Sequence, residues 1–202
     1  MTKSALLPVC PGRLCRAALI AAFLGAGHAA NAHESEAPWK LCRQAVAQVE
    51  DGEKLPKHML IAIATVESGR WHKESEEILA WPWTITAEGR GRYLPTKAAA
   101  LAEIEALKAK GISNIDVGCM QINLHHHPKA FEDLEAALDP ARNVAYAAQL
   151  LRSLRQQRGS WTRAVGDYHS ATPSRSGPYR VKVFQALFAE RRKLQQAGRV
   201  GP

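Results

Sequence analysis

A single carboxylate at the end of an apolar segment is the feature of this sequence that most clearly suggests chemistry. Residues 59–67 form an apolar run that closes on Glu67, and Ser68-Gly69 follows as a helix-stop signal. Helical spacing places on one face Leu60, Ile63, Ala64 and Glu67. Burial and the negative end of the helix dipole both disfavour an ionised carboxylate. Glu67 is therefore a candidate general acid, the alternative being a surface glutamate that points to solvent.

Three later segments accompany Glu67-Ser68-Gly69 in a recognisable order. They are Gly118-Cys-Met120-Gln121-Ile-Asn123, Asn143-Val-Ala-Tyr-Ala-Ala-Gln-Leu-Leu151 and Ala164-Val-Gly-Asp-Tyr168-His169-Ser170. Together the four segments resemble the motifs of the lytic transglycosylases, which are bacterial enzymes with a goose-lysozyme-like fold. The resemblance covers about residues 57–190.

The sequence departs from that family pattern in three places. The third motif usually has Gly where Ala147 stands and Tyr where Leu150 stands. The fourth usually reads Tyr-Asn-x-Gly, whereas Tyr168 is followed here by His169, and whether His169 takes over the function of that Asn stays open. The gap between Glu67 and Gly118 is longer than usual, so residues 71–116 are interpreted as an insertion, which we expect to form one wall of a glycan groove.

The resemblance implies a mainly α, lysozyme-like fold with a small β-hairpin, and a reaction carried by one carboxylate. Glu67 would protonate the glycosidic oxygen of peptidoglycan and then, as a base, activate the C6 hydroxyl that closes a 1,6-anhydro ring. Supporting roles are implied for Ser68, Gln121 and Tyr168, which would hold the substrate and Glu67, with a hydrogen bond from Tyr168 to Glu67. Met120 would shape the floor, and Asn143 would be a structural hydrogen-bonding residue.

Two other functions stay open at this point. Glycoside cleavage usually requires two carboxylates, and Asp116 is the nearest candidate for the second, which would make the protein a hydrolytic, lysozyme-type muramidase. The altered Tyr168-His169 motif instead allows a catalytically inactive glycan-binding protein of the same fold.

Several other side chains invite a functional interpretation. Trp81 and Trp83 are predicted either to stack on sugar rings or to pack within a hairpin. Cys42 and Cys119 are predicted to lie close together and to form a possible disulfide, since export makes one permissible. The run His125-His126-His127 does not predict a metal site, because adjacent side chains point in different directions. No cofactor is expected.

The N-terminus has the features of a signal peptide over residues 1–32. A basic segment with Lys3, Arg13 and Arg16 precedes a short apolar segment, and Ala30-Asn31-Ala32 predicts cleavage after Ala32. We therefore expect a periplasmic protein, with residues 33–202 as one catalytic domain and no stable membrane anchor; an uncleaved anchor is the alternative.

The positive net charge of the sequence is consistent with an anionic polymer as the binding partner. The formal net charge is +8, and removing the three basic residues of the leader leaves +5. Basic residues are scattered apart from Arg191-Arg192-Lys193, so no nucleic-acid surface is predicted. Peptidoglycan strands are the expected partner, together with a wall-spanning machine such as a flagellum, secretion or conjugation system, by family analogy.

Overall fold

The computed structural model describes residues 30–52 and 54–199, and over that part the protein is mainly α-helical, as predicted. The signal-peptide prediction lies outside the described residues except for its last three. Among the described helices, none is long and apolar enough to cross a membrane. The helices are α1 (Ala30–Gly52), α2 (Met59–Ser68), α3 (Lys97–Ala109), α4 (Leu134–Ala137), α5 (Pro140–Arg158), α6 (Trp161–His169) and α7 (Pro173–Arg199).

Two helices begin where a capping side chain in the sequence indicates their first turn. Thr96 caps α3 by accepting a hydrogen bond from Ala99 N, and Asp139 caps α5 by accepting one from Arg142 N. In the sequence, Pro38 and Gly177-Pro178 each predict the first turn of a helix, and both of these predictions are wrong. The two helices begin earlier, at Ala30 and Pro173, and contain those prolines. Proline favours a first turn without requiring one, and in α7 it is Pro173 that occupies the first position.

The part of the chain between α2 and α4 forms two small antiparallel sheets. The first pairs β1 (Gly69–His72) with β2 (Glu77–Ala80). The second has the order β4-β3-β5-β6, from β3 (Thr84–Ala87), β4 (Arg90–Tyr93), β5 (Ile115–Val117) and β6 (Ile122–Asn123). The predicted hairpin is β3–β4. The other strands carry too few residues for an alternating pattern to stand out in the sequence.

The buried hydrophobic residues in the described part of the chain form two clusters. The main core joins α1, α2, α5, α6 and α7. A second, smaller core lies between the four-stranded sheet and α3 and is completed by Ala137 and Leu138, at the end of α4. Residues 71–116 supply most of this second core, so the segment interpreted as an insertion packs against the C-terminal half of the chain as well as on itself.

Helix α2 ends in a turn that only glycine fits. A Cβ at Gly69 would lie 2.2 Å from Thr65 O and 2.6 Å from the Ile78 side chain, because the chain passes directly from α2 into β1. At the other end of α2, the Glu50 carboxylate accepts hydrogen bonds from the backbone N–H groups of His58 and Leu60. Both ends of the helix that carries Glu67 are therefore fixed.

Cys42 of α1 and Cys119 are joined by a disulfide, with 5.7 Å between their Cα atoms and a sequence separation of 77 residues. Closing a loop of this length restricts the unfolded chain, and we expect reduction to cost on the order of 4 kcal/mol of stability. Thermal unfolding with and without reductant, beside a Cys42→Ala/Cys119→Ala double variant, measures this. Two titratable thiols in the unreduced, denatured protein would contradict the bond.

Candidate active site

Glu67 faces a groove of about 580 Å³ that is lined by residues of the helices and of the four-stranded sheet. The end of α2, the sheet, and the junction of α6 with α7 contribute its walls. The lining residues are Glu67, Thr86, Asn114, Asp116, Gln121, Ile122, Asn123, His126, His127, Leu150, Tyr168, His169 and Arg175. Of the residues predicted from the sequence, the groove therefore brings together Glu67, Gln121, Tyr168, His169 and Asp116.

The Glu67 carboxyl group is partly buried, and its surroundings favour the protonated form. Burial raises its pKa to about 7, the negative charge of Asp116 adds to that rise, and a hydrogen bond from Tyr179 opposes both. The Tyr179 hydroxyl donates that bond to Glu67 Oε1 over 2.6 Å. A carboxyl group with a pKa near 7 can give up and recover a proton at neutral pH.

Tyr179, not Tyr168, donates the hydrogen bond to Glu67, so the predicted Tyr168–Glu67 bond is wrong. The Tyr168 hydroxyl instead donates to Met120 O over 2.8 Å. A buried phenol needs an acceptor, and from α6 that acceptor is a carbonyl of the Gly118–Gln121 loop. Tyr179 lies in α7, 112 residues from Glu67. The sequence indicates Tyr179 only through its helical spacing, which places it with Val183 and Leu187 on the buried face of α7.

Ser68 and Asn143 hold the Gly118–Gln121 loop. Ser68 is 1% exposed and donates from Oγ to Cys119 O over 2.7 Å. A side chain this deeply buried does not reach a glycan, so the predicted contact of Ser68 with substrate is replaced by a positioning role. Asn143 is fully buried; its Oδ1 accepts from Met120 N, and its Nδ2 donates to Val117 O and Ala137 O.

Gly118 allows this arrangement because it has no side chain. Its φ is +83°, and a Cβ there would lie 2.5 Å from Asn143 Nδ2. Met120 is buried in the main core and is not among the residues that line the groove, so the predicted role of its side chain as groove floor is replaced by packing beneath the loop.

Gln121 lines the groove with an amide that is held by backbone carbonyl groups. Its Nε2 donates to Thr84 O and Gly118 O, each over 3.0 Å. Its Oε1 is buried without a hydrogen-bond partner among the described residues. The two donor bonds fix the orientation of the amide and occupy its N–H groups. Contact of Gln121 with substrate stays a prediction.

Asp116 shares the groove with Glu67 and is held by Asn123. Asn123 Nδ2 donates to Asp116 Oδ1 over 2.8 Å, and Asn123 Oδ1 accepts from the backbone N–H groups of His125 and His126. Burial raises the pKa of Asp116, while the bond from Asn123 and the nearby His126 and His169 oppose that rise. The candidate second carboxylate is thus placed where it influences Glu67.

His169 packs against Tyr179, the residue that binds Glu67. Its ring stacks on Tyr179, with 4.7 Å between ring centroids and 11° between planes. Burial and the positive charge of Arg175 lower the pKa of His169, against a smaller opposing effect of Asp116. The imidazole is therefore neutral at neutral pH and adds a flat, uncharged surface beside the carboxyl group.

The Trp81 ring belongs to the protein interior. Trp81 is 4% exposed, donates from Nε1 to Leu94 O and packs edge-on against Trp39 and Trp83. A ring this buried has no free face for a sugar, so the packing alternative holds for Trp81. Trp83 is partly buried against the second core, and neither ring is among the groove-lining residues.

The three adjacent histidines take different positions. His126 and His127 line the groove, and His127 Nδ1 lies 2.9 Å from the Tyr146 hydroxyl. Within residues 30–52 and 54–199, no group of three or more His, Cys, Asp or Glu side chains is arranged to hold a metal ion.

Comparison with known proteins identifies the family. The family model described as Transglycosylase SLT domain matches residues 44–176, which contain Glu67, Asp116, the Gly118–Gln121 loop and Tyr168. Neither a curated protein nor a solved structure matched the chain. The match supports the predicted lysozyme-like fold and covers well over half of the sequence. The chain belongs to the transglycosylase SLT domain family, and its function is of the transglycosylase type, directed at peptidoglycan.

Proposed function

We propose that the protein is a lytic transglycosylase that cleaves the β-1,4 bond between N-acetylmuramic acid and N-acetylglucosamine, with Glu67 as its one catalytic acid and base. The observation that carries the proposal is the Glu67 carboxyl group, which is partly buried, bound by Tyr179, exposed to a groove and shifted to a pKa of about 7.

In the first step, the Glu67 proton passes to the glycosidic oxygen and the bond from that oxygen to C1 of the muramoyl ring breaks. The acetamido oxygen of the same ring bonds to C1 and takes the place of a protein nucleophile. The leaving glucosamine keeps the transferred proton as its hydroxyl. Gln121 lines the groove together with Glu67, and its side chain would hold the sugar in this orientation.

In the second step, ionised Glu67 takes the proton of the muramoyl C6 hydroxyl. The C6 oxygen bonds to C1, the bond between C1 and the acetamido oxygen breaks, and the 1,6-anhydro ring closes. No water is consumed, and Glu67 ends protonated as it began. One group with a pKa near the working pH serves both steps.

A hydrolytic muramidase is the second candidate, because Asp116 lies in the same groove as Glu67. Digestion of purified peptidoglycan sacculi, followed by mass analysis of the released fragments, separates the candidates. We expect 1,6-anhydro ends. Reducing ends would identify a hydrolase, and binding without release of fragments would identify an inactive glycan-binding protein.

Tyr179→Phe should shift the pH dependence of cleavage. The first step needs protonated Glu67, so the rate should fall as the pH rises through about 7. The bond from Tyr179 lowers the pKa of Glu67, so its loss should raise that pKa and move the falling limb to higher pH. The turnover number should also drop, roughly ten- to a hundredfold, because the bond to the ionised form is lost.

Tyr168→Phe is the matched control for this measurement. Its hydroxyl binds Met120 O instead of Glu67, so this variant should leave the position of the limb unchanged. A limb that stays in place in Tyr179→Phe, or moves equally in both variants, would contradict the assignment of Tyr179 as the positioning residue.

We also propose export to the periplasm by cleavage after Ala32, with service to a wall-spanning machine as the family analogy suggests. Cell fractionation and N-terminal sequencing of the secreted form test this. A mature protein that begins at His33 is expected, and a full-length protein in the cytoplasmic fraction would contradict it.

A further inference from the structure

A second, smaller cavity adjoins the groove at Glu67. It has a volume of about 280 Å³ and shares Glu67, His169 and Arg175 with the groove. The remaining lining residues are Val66, Ser174, Pro178, Tyr179 and Lys182. Anything bound in the groove at Glu67 therefore lies at the mouth of this cavity, which is walled on one side by the first turns of α7.

The charge of this cavity is positive. Arg175 and Lys182 contribute two cations, and Glu67 is the one acidic residue among the described residues that line it. Because the pKa of Glu67 is about 7, its own negative charge is incomplete at neutral pH. Both cations act on His169, which lies at the mouth of the cavity. After burial, Arg175 is the largest cause of the lowered pKa of His169; Lys182 also lowers this pKa, whereas Asp116 raises it.

We propose that this cavity binds the first residues of the stem peptide on the muramoyl unit held at Glu67, and that Arg175 and Lys182 pair with the peptide carboxylates. The inference rests on the proposed cleavage of peptidoglycan by Glu67. A stem peptide starts on the lactyl group of the muramoyl ring, so it leaves the glycan at the sugar whose bond is cleaved.

Size and chemistry both fit the beginning of such a peptide. The volume is just below the usual range for small-molecule pockets, so it accommodates the first residues and leaves the rest of the peptide in solvent. Val66 and Pro178 offer apolar walls to an alanine methyl group, while the two cations match the carboxylates that follow. The cavity thus gives the enzyme a preference for strands with charged stem peptides.

The test compares two sets of glycan strands with stem peptides of equal length, with carboxylates either free or converted to carboxamides. The wild-type protein should reach half-maximal rate at about two- to fivefold lower concentration of the free-carboxylate strands, as expected for exposed ion pairs. The preference should shrink with added salt. Lys182→Glu should abolish or reverse it, whereas Arg192→Glu, on the same helix and not among the cavity residues, should retain it.

Each outcome decides the proposal. Equal use of both substrates by the wild-type protein, a preference that is insensitive to salt, or an unchanged preference in Lys182→Glu would overturn it. Melting curves of the two variants show whether they fold, and Lys182→Gln replaces the charge reversal if that variant unfolds. If the wild-type protein cleaves neither substrate, the proposed function fails, and co-sedimentation with the two kinds of strand still tests the cavity.

Discussion

Glu67→Gln should reduce peptidoglycan cleavage by at least the 10²–10⁴-fold typical of general acid–base catalysis, while leaving the fold intact. The amide is nearly isosteric with the carboxylic acid, and its oxygen can still accept the bond from Tyr179. It cannot donate a proton to the glycosidic oxygen or recover one from the C6 hydroxyl. Release of soluble fragments from sacculi measures the loss, and residual activity above a few per cent would remove Glu67 from its role.

Asp116→Asn is the matched control, since it changes the other carboxylate of the same groove. We expect cleavage to survive in this variant. Because the charge of Asp116 helps to raise the pKa of Glu67, the falling limb of the pH profile should move to lower pH. A loss of activity as complete as that of Glu67→Gln would favour the hydrolytic mechanism with two carboxylates.

The same Glu67→Gln variant should change stability in a pH-dependent way. The folded-state pKa of Glu67, about 7, lies above its ordinary value of 4.5, so the folded protein binds the extra proton between these values and loses stability as the pH rises through them. At pH 8 the uncharged Gln removes that cost. Melting temperatures should therefore be higher for the variant than for the wild type at pH 8 and similar for both at pH 4; equal values at both would contradict the raised pKa.

Asn143→Leu should produce the largest loss of stability among substitutions near the site. It would leave Met120 N, Val117 O and Ala137 O without their side-chain partner in a fully buried position. Each of the three orphaned groups costs about 1–3 kcal/mol, so we expect a total of roughly 3–9 kcal/mol. A fall in melting temperature of at least about 6 °C should follow.

Gln149→Leu provides the control for this substitution, because it is exposed on the same helix. It should change stability by no more than about 0.5 kcal/mol. Denaturant unfolding of both variants measures the difference. A loss below about 1 kcal/mol for Asn143→Leu would mean that the loop does not depend on Asn143.

Local signals explain the parts of the fold that the sequence predicted well. Thr96 and Asp139 mark their helices because a capping side chain acts on the backbone a few residues away. The apolar run before Glu67 likewise makes α2 visible. The starts of α1 and α7 were missed because a proline is compatible with several positions, and the short strands pair through contacts that depend on the whole fold.

The site was predictable in its residue types and less so in its contacts. Glu67 and Gln121 stand in the groove, as the motifs indicated. Asn143 has the structural role that was predicted for it. Tyr168 lines the groove as well, but its hydroxyl and that of Ser68 bind backbone carbonyl groups of the Gly118–Gln121 loop. These two roles depend on which groups the folded loop leaves unpaired. Tyr179 lies outside every motif and meets Glu67 only when α7 packs on α2.

Cleavage of sacculi in water enriched in heavy oxygen tests the central claim most directly. If Glu67 promotes attack of the C6 hydroxyl on C1 of the same muramoyl ring, the new muramoyl ends should contain no label. The Glu67→Gln variant should release no such ends. Labelled oxygen at C1 of those ends would show that water attacks the bond, and would contradict the proposed mechanism.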